Sequence, residues 1–448
     1  MSAAARTCAS TWTRRGAWIA FAALLVLSPF RAGIDIVARP VGTLYSAYTD
    51  VILAWSDVAG LLVLVLWLTS LALRPRRVWL GPRFIAWPVA ALLLLAWVGA
   101  LVAVDPAIAV NTSVHLTLLA ALALYVANEI GPPQRLAVPV AVMVAIQAVV
   151  GIGQVVTQRS LGLGALGEQT LDPHQQVSVI TAADGTRFLR AYGLTDHPNI
   201  LGGLLAAGLL LLIGLGSRRR AARVPLLATV AVGLAALLVT FSRGAWLGML
   251  VGLGVLAAML LATRDRARLR QLAIVCAAGA VVAAPFVVPY RTALAARTNP
   301  AASATETRSI DERAALALAT AQIVTRHPLL GVGAGGLPEA MRLADPGFRY
   351  TDQPSSIVLL DAVAETGIAG GAAYAVLLVA PWVALLRHRR RWTAELAATS
   401  AALAALTVVG LFDYYTWTYA SGRIWAWAVL GLWAAAHRQA TAGTAHAV

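Results

Sequence analysis

Charged side chains are scarce in this sequence. They make up 12% of 448 residues, whereas hydrophobic residues make up 59% and the mean hydropathy is +0.75. A soluble chain cannot hide that much apolar surface, because folding buries only part of it. The composition therefore excludes a soluble globular protein and predicts an all-α, polytopic transmembrane bundle.

Cysteine and metal-ligand motifs are also lacking. The two cysteines, Cys8 in the N-terminal tail and Cys276 in an apolar block, form no disulfide pattern. The chain has no Asp-x-Asp pair and no His/Cys cluster at ligand spacing, so metal-dependent chemistry has little support. The glycine run at 331–336 lacks the Gly-Lys-Ser/Thr ending of a nucleotide-binding loop. We therefore predict no metal and no cofactor.

Apolar blocks occupy most of the chain, and each is close to the roughly 20 residues that cross a bilayer. They predict about twelve spans, near residues 17–30, 50–73, 84–104, 107–130, 136–157, 198–216, 224–241, 244–262, 271–289, 356–386, 394–411 and 422–437. We treat residues 1–448 as one integral membrane domain.

The formal net charge of +15 comes largely from short basic runs between these blocks. Such runs favour the cytoplasmic side of a membrane, so they indicate topology rather than nucleic-acid binding. With both termini cytoplasmic, alternate loops carry the runs, at 74–77, 135, 218–220, 264–270 and 387–391. Two polar stretches, 158–197 and the large loop 290–355 between spans 9 and 10, are then predicted to be extracytoplasmic.

The large loop has internal order. Ser309 and Glu312 have the spacing of a capping box, and residues 313–327 lack Gly and Pro, which predicts a helix. Pro328 ends that helix and a glycine-rich stretch follows, which predicts a hinge. The segment is interpreted as a lid or binding platform, with an ordinary inter-helix loop as the alternative.

Several arginines on the predicted outer side are not explained by topology. Arg243 lies in a very short turn at the membrane rim, where a charge is costly unless a partner or a function keeps it there. Arg190 precedes another span, and more arginines lie in the large loop. Guanidinium groups bind phosphate through paired hydrogen bonds, so the group predicts a phosphate or diphosphate ligand. Snorkelling or lipid-headgroup contact is the alternative for single loop arginines.

Two carboxylates begin a later span. Asp361 and Glu365 are four residues apart and share one helical face. They are candidates for a general base, for balancing the arginines, or for anchoring the helix N-terminus. Asn111 and His115 lie within another span and are predicted to be a buried polar pair that serves packing.

These motifs together resemble the O-antigen ligase and O-antigen polymerase family of bacterial envelope enzymes. The matching segments are residues 190–199, Phe-Ser-Arg-Gly-Ala-Trp at 241–246, His-Pro-Leu-Leu-Gly-Val-Gly at 327–333, Ala-Glu-Thr-Gly at 364–367 and Phe-Asp-Tyr-Tyr-Thr-Trp at 412–417. In order they cover roughly residues 185–430. The resemblance implies a twelve-span, GT-C-like glycosyltransferase with an extracytoplasmic active site. It implies transfer of a glycan from an undecaprenyl-diphosphate carrier to an acceptor hydroxyl, without metal.

One position departs from the family. Ser356 stands where the family often has a histidine, which favours a polymerase, or a ligase for another acceptor, over a lipid A core ligase. The candidate catalytic residues are Arg243, Arg190, Asp352, Asp361 and Glu365. The candidate substrate-binding residues are Arg313, Arg326, His327, Arg291, His197, Asn199 and Ser356.

The expected partners are an undecaprenyl-diphosphate-linked glycan donor, a glycan, lipid or protein acceptor, and the lipid bilayer, with no nucleic acid. The expected location is the bacterial cytoplasmic membrane. A transporter of a small anion or polysaccharide precursor is the alternative function. Such a protein needs polar residues through the whole bilayer depth, whereas here they concentrate at one rim.

Overall fold

The structure is a computed structural model, and it describes residues 2–31, 33–39, 41, 44–175, 177–182, 184–216, 222–298, 304–350 and 353–442. In chain order the helices are α1 (Ala3–Leu27), α2 (Ser46–Thr49), α3 (Trp55–Leu73), α4 (Arg83–Gly99), α5 (Pro106–Glu129), α6 (Ala137–Thr157), α7 (Pro198–Leu215), α8 (Arg223–Val239), α9 (Arg243–Ala262), α10 (Arg266–Val287), α11 (Arg291–Thr298), α12 (Ala304–Arg326), α13 (Leu337–Ala344), α14 (Val358–Arg387), α15 (Ala394–Val409), α16 (Tyr415–Thr418) and α17 (Ala420–Ala442).

Strands are confined to two small antiparallel pairs in the described part of the chain. Strand β1 (Gly33–Val37) pairs with β2 (Val51–Ala54), and β3 (Val179–Thr181) pairs with β4 (Arg187–Leu189). The predicted all-α, polytopic membrane class is therefore confirmed.

Every predicted span coincides with a helix. Eight helices are long and apolar enough to cross a membrane: α3, α4, α5, α6, α7, α9, α10 and α14. Two shorter apolar helices are α8 and α15, and α1 and α17 occupy the first and last predicted positions. The count of twelve crossings stays a prediction.

The helices run alternately up and down, so their ends form two faces. At one face, the Arg31 N–H donates to Leu194 O, and the Val358 N–H donates to Gly410 O. This face carries the polar stretches 158–197 and 290–355, and we call it the loop end. At the opposite end, Arg14 pairs with Glu129 at 2.5 Å. Of the predicted basic runs, the one at 74–77 lies at that end, where Arg76 also contacts Glu129 at 2.7 Å. The alternation of the other runs stays a prediction.

Helix α7 is the centre of the bundle, with almost its whole length buried. Its glycines allow neighbours to approach closely. A Cβ at Gly203 would overlap the Tyr415 hydroxyl, and one at Gly214 would lie 2.5 Å from the Ala398 Cβ. The N-terminus of this buried helix, preceded by His197, opens at the loop end.

The second span begins later than predicted. Residues 50–73 were expected to form one helix because Val51–Leu53 continue the apolar run. Instead Val51–Ala54 form β2, and α3 begins at Trp55, where the Ala54 N–H donates to the Asp57 carboxylate at 2.9 Å. The β1–β2 pair is a hairpin on the loop end that hydropathy did not predict.

The large loop contains the expected helix, with a different beginning. Helix α12 begins at Ala304 rather than at Ser309, so the predicted capping box is wrong. Ser309 and Glu312 lie inside the helix, where its backbone donors already have partners within the helix. Their side chains instead line a cavity.

The glycine-rich stretch after α12 is a fixed junction rather than a free hinge. Helix α14 is broken at Gly367, which has φ 75° and ψ 176°. The Val332 N–H donates to Ala364 O at 2.9 Å, the Gly333 N–H donates to Glu365 O at 3.1 Å, and the Ile368 N–H donates to Pro328 O at 2.9 Å. A Cβ at Gly367 would lie 2.0 Å from the Leu329 oxygen, so the contact requires glycine. Two of the segments that carry the family resemblance are therefore packing partners.

Candidate active site

A cavity of about 560 Å³ opens at the loop end, and we call it the arginine cavity. Its charged lining residues are Arg31, Arg190, Arg297, Arg313, Asp196, Glu312 and Asp413. Among the predicted site residues, it brings together Arg190, His197, Asn199, Arg313 and Ser356. These residues come from segments far apart in sequence, so the cavity depends on the folded bundle.

Arg190 is buried, with 3% of its surface exposed. Its guanidinium donates to Thr240 O at 2.8 Å, to Ser178 Oγ at 2.7 Å and to Asn199 Oδ1 at 2.6 Å. The Asn199 amide donates in turn to Asp413 Oδ2 at 2.7 Å. This connected set holds the charge of Arg190 at one orientation beside the cavity.

Arg243 is the first residue of α9 and is half-buried. It lines a narrow pocket that shares Asn199, Arg297, Arg313, Asp413 and Tyr415 with the arginine cavity. Arg243 and the cavity arginines thus surround adjoining spaces. The N-terminus of a 20-residue helix adds a positive dipole end at the same place.

Arg297 was seen in the sequence among the loop arginines but was not selected as a site residue. It lies on α11 with 8% of its surface exposed, and its Nε donates to Phe241 O at 2.8 Å. Phe241 has a φ of 50° in the short turn before Arg243. The turn that carries Arg243 is thus braced by a second arginine of the same cavity.

One face of α12 forms the cover of the arginine cavity. Ser309, Glu312, Arg313 and Leu316 all line it, and their spacing of three and four residues places them on one side of a helix. This arrangement matches the predicted platform. The position of α12 outside the membrane stays a prediction.

A chain of hydrogen bonds crosses the cavity wall and ends on the Glu312 carboxyl group. The Tyr48 hydroxyl donates to the Tyr414 hydroxyl at 3.0 Å, and Tyr414 donates to Gln353 Oε1 at 3.1 Å. The Gln353 amide then donates to Glu312 Oε1 at 3.1 Å. Burial raises the pKa of Tyr414 well above its usual range and also raises the pKa of Glu312. Tyr414 therefore stays protonated and can donate.

His197 is the N-cap residue of α7, and its side chain is neutral. Its Nδ1 accepts the Asn199 N–H at 3.1 Å, which leaves Nε2 as the protonated nitrogen. Burial is the largest cause that lowers its pKa well below the usual range, and three nearby arginines act in the same direction. His197 is therefore a hydrogen-bond donor at neutral pH and not a cation.

Asp413 is held more tightly than Glu312. Burial raises the pKa of Asp413, while the charge of Arg313 and the hydrogen bond from Asn199 act against that rise. Backbone N–H groups of Tyr414 and Tyr415 also contact the carboxylate. The described contacts thus occupy the acceptor sites of Asp413, which suits a positioning role.

The two carboxylates of α14 lie beside the cavity wall, not in its lining. Glu365 accepts the Trp417 Nε1–H at 2.8 Å, and Asp361 accepts the Ser355 N–H at 2.9 Å. Both are buried. Their contacts fix the turn after α15 and the backbone next to Ser356. The structure therefore does not bring these two predicted catalytic residues into the lining of the arginine cavity.

Three predicted binding residues are not brought to the arginine cavity. Arg326 and His327 are exposed at the far end of α12, about 20 Å from Arg313 at the helical rise per residue. Arg291 is exposed at the start of α11. Asp352 lies outside the described residues.

A second cavity of about 480 Å³ adjoins the first, and we call it the acidic cavity. Its charged lining residues are Asp35, Asp50, Asp57, Glu168, Asp196, Arg31 and Arg423. The sequence did not predict it, because its lining residues come from several separate segments and the β1–β2 pair was not expected. His115 and Asn111 both line it, yet His115 faces Asp57 at 3.7 Å and the predicted Asn111 pairing is not seen.

In the part of the chain that the structure describes, no group of three or more His, Cys, Asp or Glu side chains is placed to hold a metal ion. Metal independence stays a prediction, to be tested by chelation.

The chain is thus a polytopic helical membrane protein with an arginine-lined cavity at one end of its bundle. Residues 228–375, about one third of the chain, match the sequence profile of a family described as O-antigen ligase. The predicted resemblance to the O-antigen ligase and polymerase family is thereby confirmed, and the match indicates a glycan ligase or polymerase type of enzyme. A comparison with curated proteins finds no match for the chain.

Proposed function

We propose that this protein transfers a glycan from an undecaprenyl-diphosphate carrier to an acceptor hydroxyl, without a metal ion, at the outer face of a bacterial cytoplasmic membrane. The observation that carries the proposal is the convergence of Arg190, Arg297 and Arg313 on one cavity, with Arg243 in the adjoining pocket. All 35 basic residues of the chain are arginines, which bind phosphate oxygens in pairs.

The leaving group is the carrier diphosphate. As the acceptor oxygen bonds to the anomeric carbon, the bond from that carbon to the diphosphate oxygen breaks and its electron pair stays on the diphosphate. Charge develops on that oxygen, and fixed positive groups lower the barrier most when they are already in place. Arg190 and Arg297 are fixed by backbone carbonyls, so they are suited to this role.

The acceptor hydroxyl must lose a proton in the same step. Glu312 faces the arginine cavity from α12, and its described hydrogen bond is a single one from Gln353. Its raised pKa makes it a stronger base than an exposed carboxylate, so we assign it the proton. Asp361 and Glu365 then support the site, and the neutral His197 donates a hydrogen bond to the sugar or the diphosphate.

The transporter alternative has no specific observation in its favour. Most residues that line the two large cavities lie near the loop-end termini of α1, α3, α7, α15 and α17, and the deepest, Asn111 and His115, lie within the first three turns of α5. A transport path needs polar groups through the full depth of the bilayer.

The test is glycan transfer from a purified undecaprenyl-diphosphate-linked glycan, with variants matched for folded protein. Arg243→Ala should reduce transfer by about 10²–10³, the usual effect of removing one preorganised charge stabiliser. Arg243→Lys should also be severely impaired, because it loses the planar two-point contact. Arg349→Ala, at an exposed position that lines neither cavity, is the matched control. Near wild-type transfer by Arg243→Ala would refute the assignment.

Metal independence is tested in the same assay. Transfer should continue when EDTA is present throughout. Loss of transfer that magnesium or manganese restores would show that the arginines do not supply the charge stabilisation by themselves.

A further inference from the structure

The acidic cavity is distinct from the arginine cavity and is lined in part by the β1–β2 pair. Gly33 and Asp35 of β1, together with Ile52 and Ala54 of β2, line its upper part. Its volume of about 480 Å³ is close to the 560 Å³ of the arginine cavity. That is enough space for a sugar unit or two, because small-molecule sites typically measure about 300–1,000 Å³.

The two cavities share a wall. Arg31, Ser46, Ala47, Asp196 and Tyr419 line both of them. In that wall Arg31 Nε and Asp196 Oδ1 form an ion pair at 2.9 Å. A molecule that occupies the acidic cavity therefore lies directly beside one bound in the arginine cavity.

Their charges are opposite in character. Without the shared pair, the acidic cavity has four carboxylates, Asp35, Asp50, Asp57 and Glu168, and one cation, Arg423. Without the Arg31–Asp196 pair, the described lining of the arginine cavity has three arginines and two carboxylates. The arginines are Arg190, Arg297 and Arg313, and the carboxylates are Glu312 and Asp413. A diphosphate is favoured in the second setting and opposed in the first.

Two of the residues that line the acidic cavity have a buried polar atom without a hydrogen-bond partner among the described residues. Arg423 Nε and His115 Nδ1 are buried atoms that have no hydrogen-bond partner among the described residues. Both residues line the acidic cavity, beside Asp57. Buried polar atoms usually have partners, and an unmade hydrogen bond there is destabilising. A ligand with hydroxyl groups, which both donate and accept, would satisfy them and the carboxylates together.

On these grounds, and resting on the proposed function, we propose that the acidic cavity binds the acceptor and selects polyhydroxylated acceptors that are neutral or cationic. The carboxylates accept hydrogen bonds from sugar hydroxyls, and the same charges repel an acceptor that carries phosphate near its reacting hydroxyl. The acceptor hydroxyl reaches the anomeric carbon past the shared wall at Arg31 and Tyr419.

The position of the cavity in the sequence fits acceptor selection. None of its described lining residues falls within the family-matched segment 228–375. That segment instead supplies Arg243, Arg297, Glu312 and Arg313 to the arginine side. The described lining of the acidic cavity thus lies wholly outside the matched segment, whereas the arginine cavity combines residues from inside and outside it.

The test uses full-length protein in which the exposed Cys8 and Cys276 are replaced by serine. Ile52→Cys places a thiol in the acidic cavity. The matched control is Ile36→Cys, a residue of β1 that is 60% exposed and does not line the cavity. Each variant is treated with a cationic trimethylammonium methanethiosulfonate and with an anionic sulfonate methanethiosulfonate.

At each position we compare the reaction rate of the cationic reagent with that of the anionic reagent. This ratio should be about tenfold higher for Ile52→Cys than for Ile36→Cys, because a charged cleft concentrates counter-ions. An equal rate ratio at the two positions would refute the charge selection. Ala54→Cys provides a second cavity position if Ile52→Cys does not fold.

The role of the cavity is then tested on the modified protein. Transfer is measured in membrane vesicles of the native host, which supply donor and acceptor, and undecaprenyl diphosphate is the binding probe. Modified Ile52→Cys should lose transfer at least tenfold and keep binding of undecaprenyl diphosphate, while modified Ile36→Cys keeps both. Loss of both activities would make the cavity a donor site, and retention of transfer would exclude an acceptor role. If the unmodified protein did not bind undecaprenyl diphosphate, the proposed function itself would fail.

Discussion

The two cavities at the loop end show how one bundle presents opposite charges side by side. In the arginine cavity, backbone carbonyls and neutral amides orient Arg190 and Arg297. In the acidic cavity, carboxylates predominate, and Glu168 is fixed by the N–H groups of Leu161 and Leu163. Backbone groups can thus hold either sign of charge in place. One ion pair, between Arg31 and Asp196, is enough to separate the two environments.

The largest effect is expected from reversing a charge in the arginine cavity. Arg313→Glu removes one positive group and adds a negative one beside the diphosphate, so transfer should fall by about 10³. Arg326→Glu makes the same change at the exposed far end of α12, away from the cavity, and should keep most of the activity. Transfer assays on both variants check this. Equal loss in the two would mean that the net charge of α12 matters, rather than the cavity.

A neutralised carboxylate should act differently in the two cavities. Glu312→Gln should lower kcat by about 10², the usual contribution of a general base. Asp35→Asn should leave kcat nearly unchanged and raise the KM for the acceptor several-fold. Kinetics in which donor and acceptor are varied separately distinguish the two. A kcat loss in Asp35→Asn would contradict the division of roles.

The pH dependence follows from the same residue. Burial raises the pKa of Glu312, so its base form is lost earlier than usual as the pH falls. Wild-type kcat should therefore fall on the acid side, below that raised pKa, while Glu312→Gln should show a flat kcat there. A kcat profile of both proteins at pH 5–8 checks this. An acid limb that persists unchanged in the variant would assign the proton to another group.

A substitution that disrupts the junction between α14 and the glycine-rich stretch should lower the stability of the protein. It should leave the acidic cavity unchanged. Gly367→Ala forces an L-residue into a left-handed conformation and against the Leu329 oxygen, which should cost about 1–3 kcal/mol. Thermal unfolding in detergent measures the loss, with Gly254→Ala, at an open helical position, as control. Thiol labelling at Ile52→Cys should not change. A changed labelling rate would show that the cavities are not independent.

The smallest effect is expected at the shared wall. Arg31→Gln breaks an ion pair in which the two side chains are 53% and 31% exposed. Such pairs contribute about 0–1 kcal/mol, so stability should hardly change. Transfer should change less than tenfold. A large loss would show that Arg31 contacts the substrate directly.

Hydropathy predicted the helices well, because a run of about 20 apolar residues has few stable alternatives in lipid. It misplaced the start of α3, since Val51–Leu53 are equally apolar in a strand and in a helix. It also gave no sign that Gly367 breaks α14, because the break is stabilised by a loop thirty residues earlier.

The site was predicted in part, for a related reason. Arg243 and Arg190 stand out in sequence because charge at a membrane rim is unusual. Arg297, by contrast, resembles every other loop arginine until the fold places it against Phe241. The acidic cavity depends on Asp35, Asp57 and Arg423, which no local spacing connects. Contacts between residues far apart in the chain cannot be predicted from the spacing of residues in one sequence.

The break in α14 makes α12 and the first part of α14 one mechanical unit. Three backbone hydrogen bonds tie the stretch after α12 to residues 364–368, so a displacement of α12 that keeps these bonds would also displace α14 around Gly367. Beside that part of α14 lies an apolar groove lined by Val358, Leu359 and Trp417. Such a displacement would change the arginine cavity and the apolar groove together, because α12 lines the first and α14 lines the second. A lipid-linked substrate that contacts both the arginine cavity and the apolar groove would therefore be affected at both ends by one displacement.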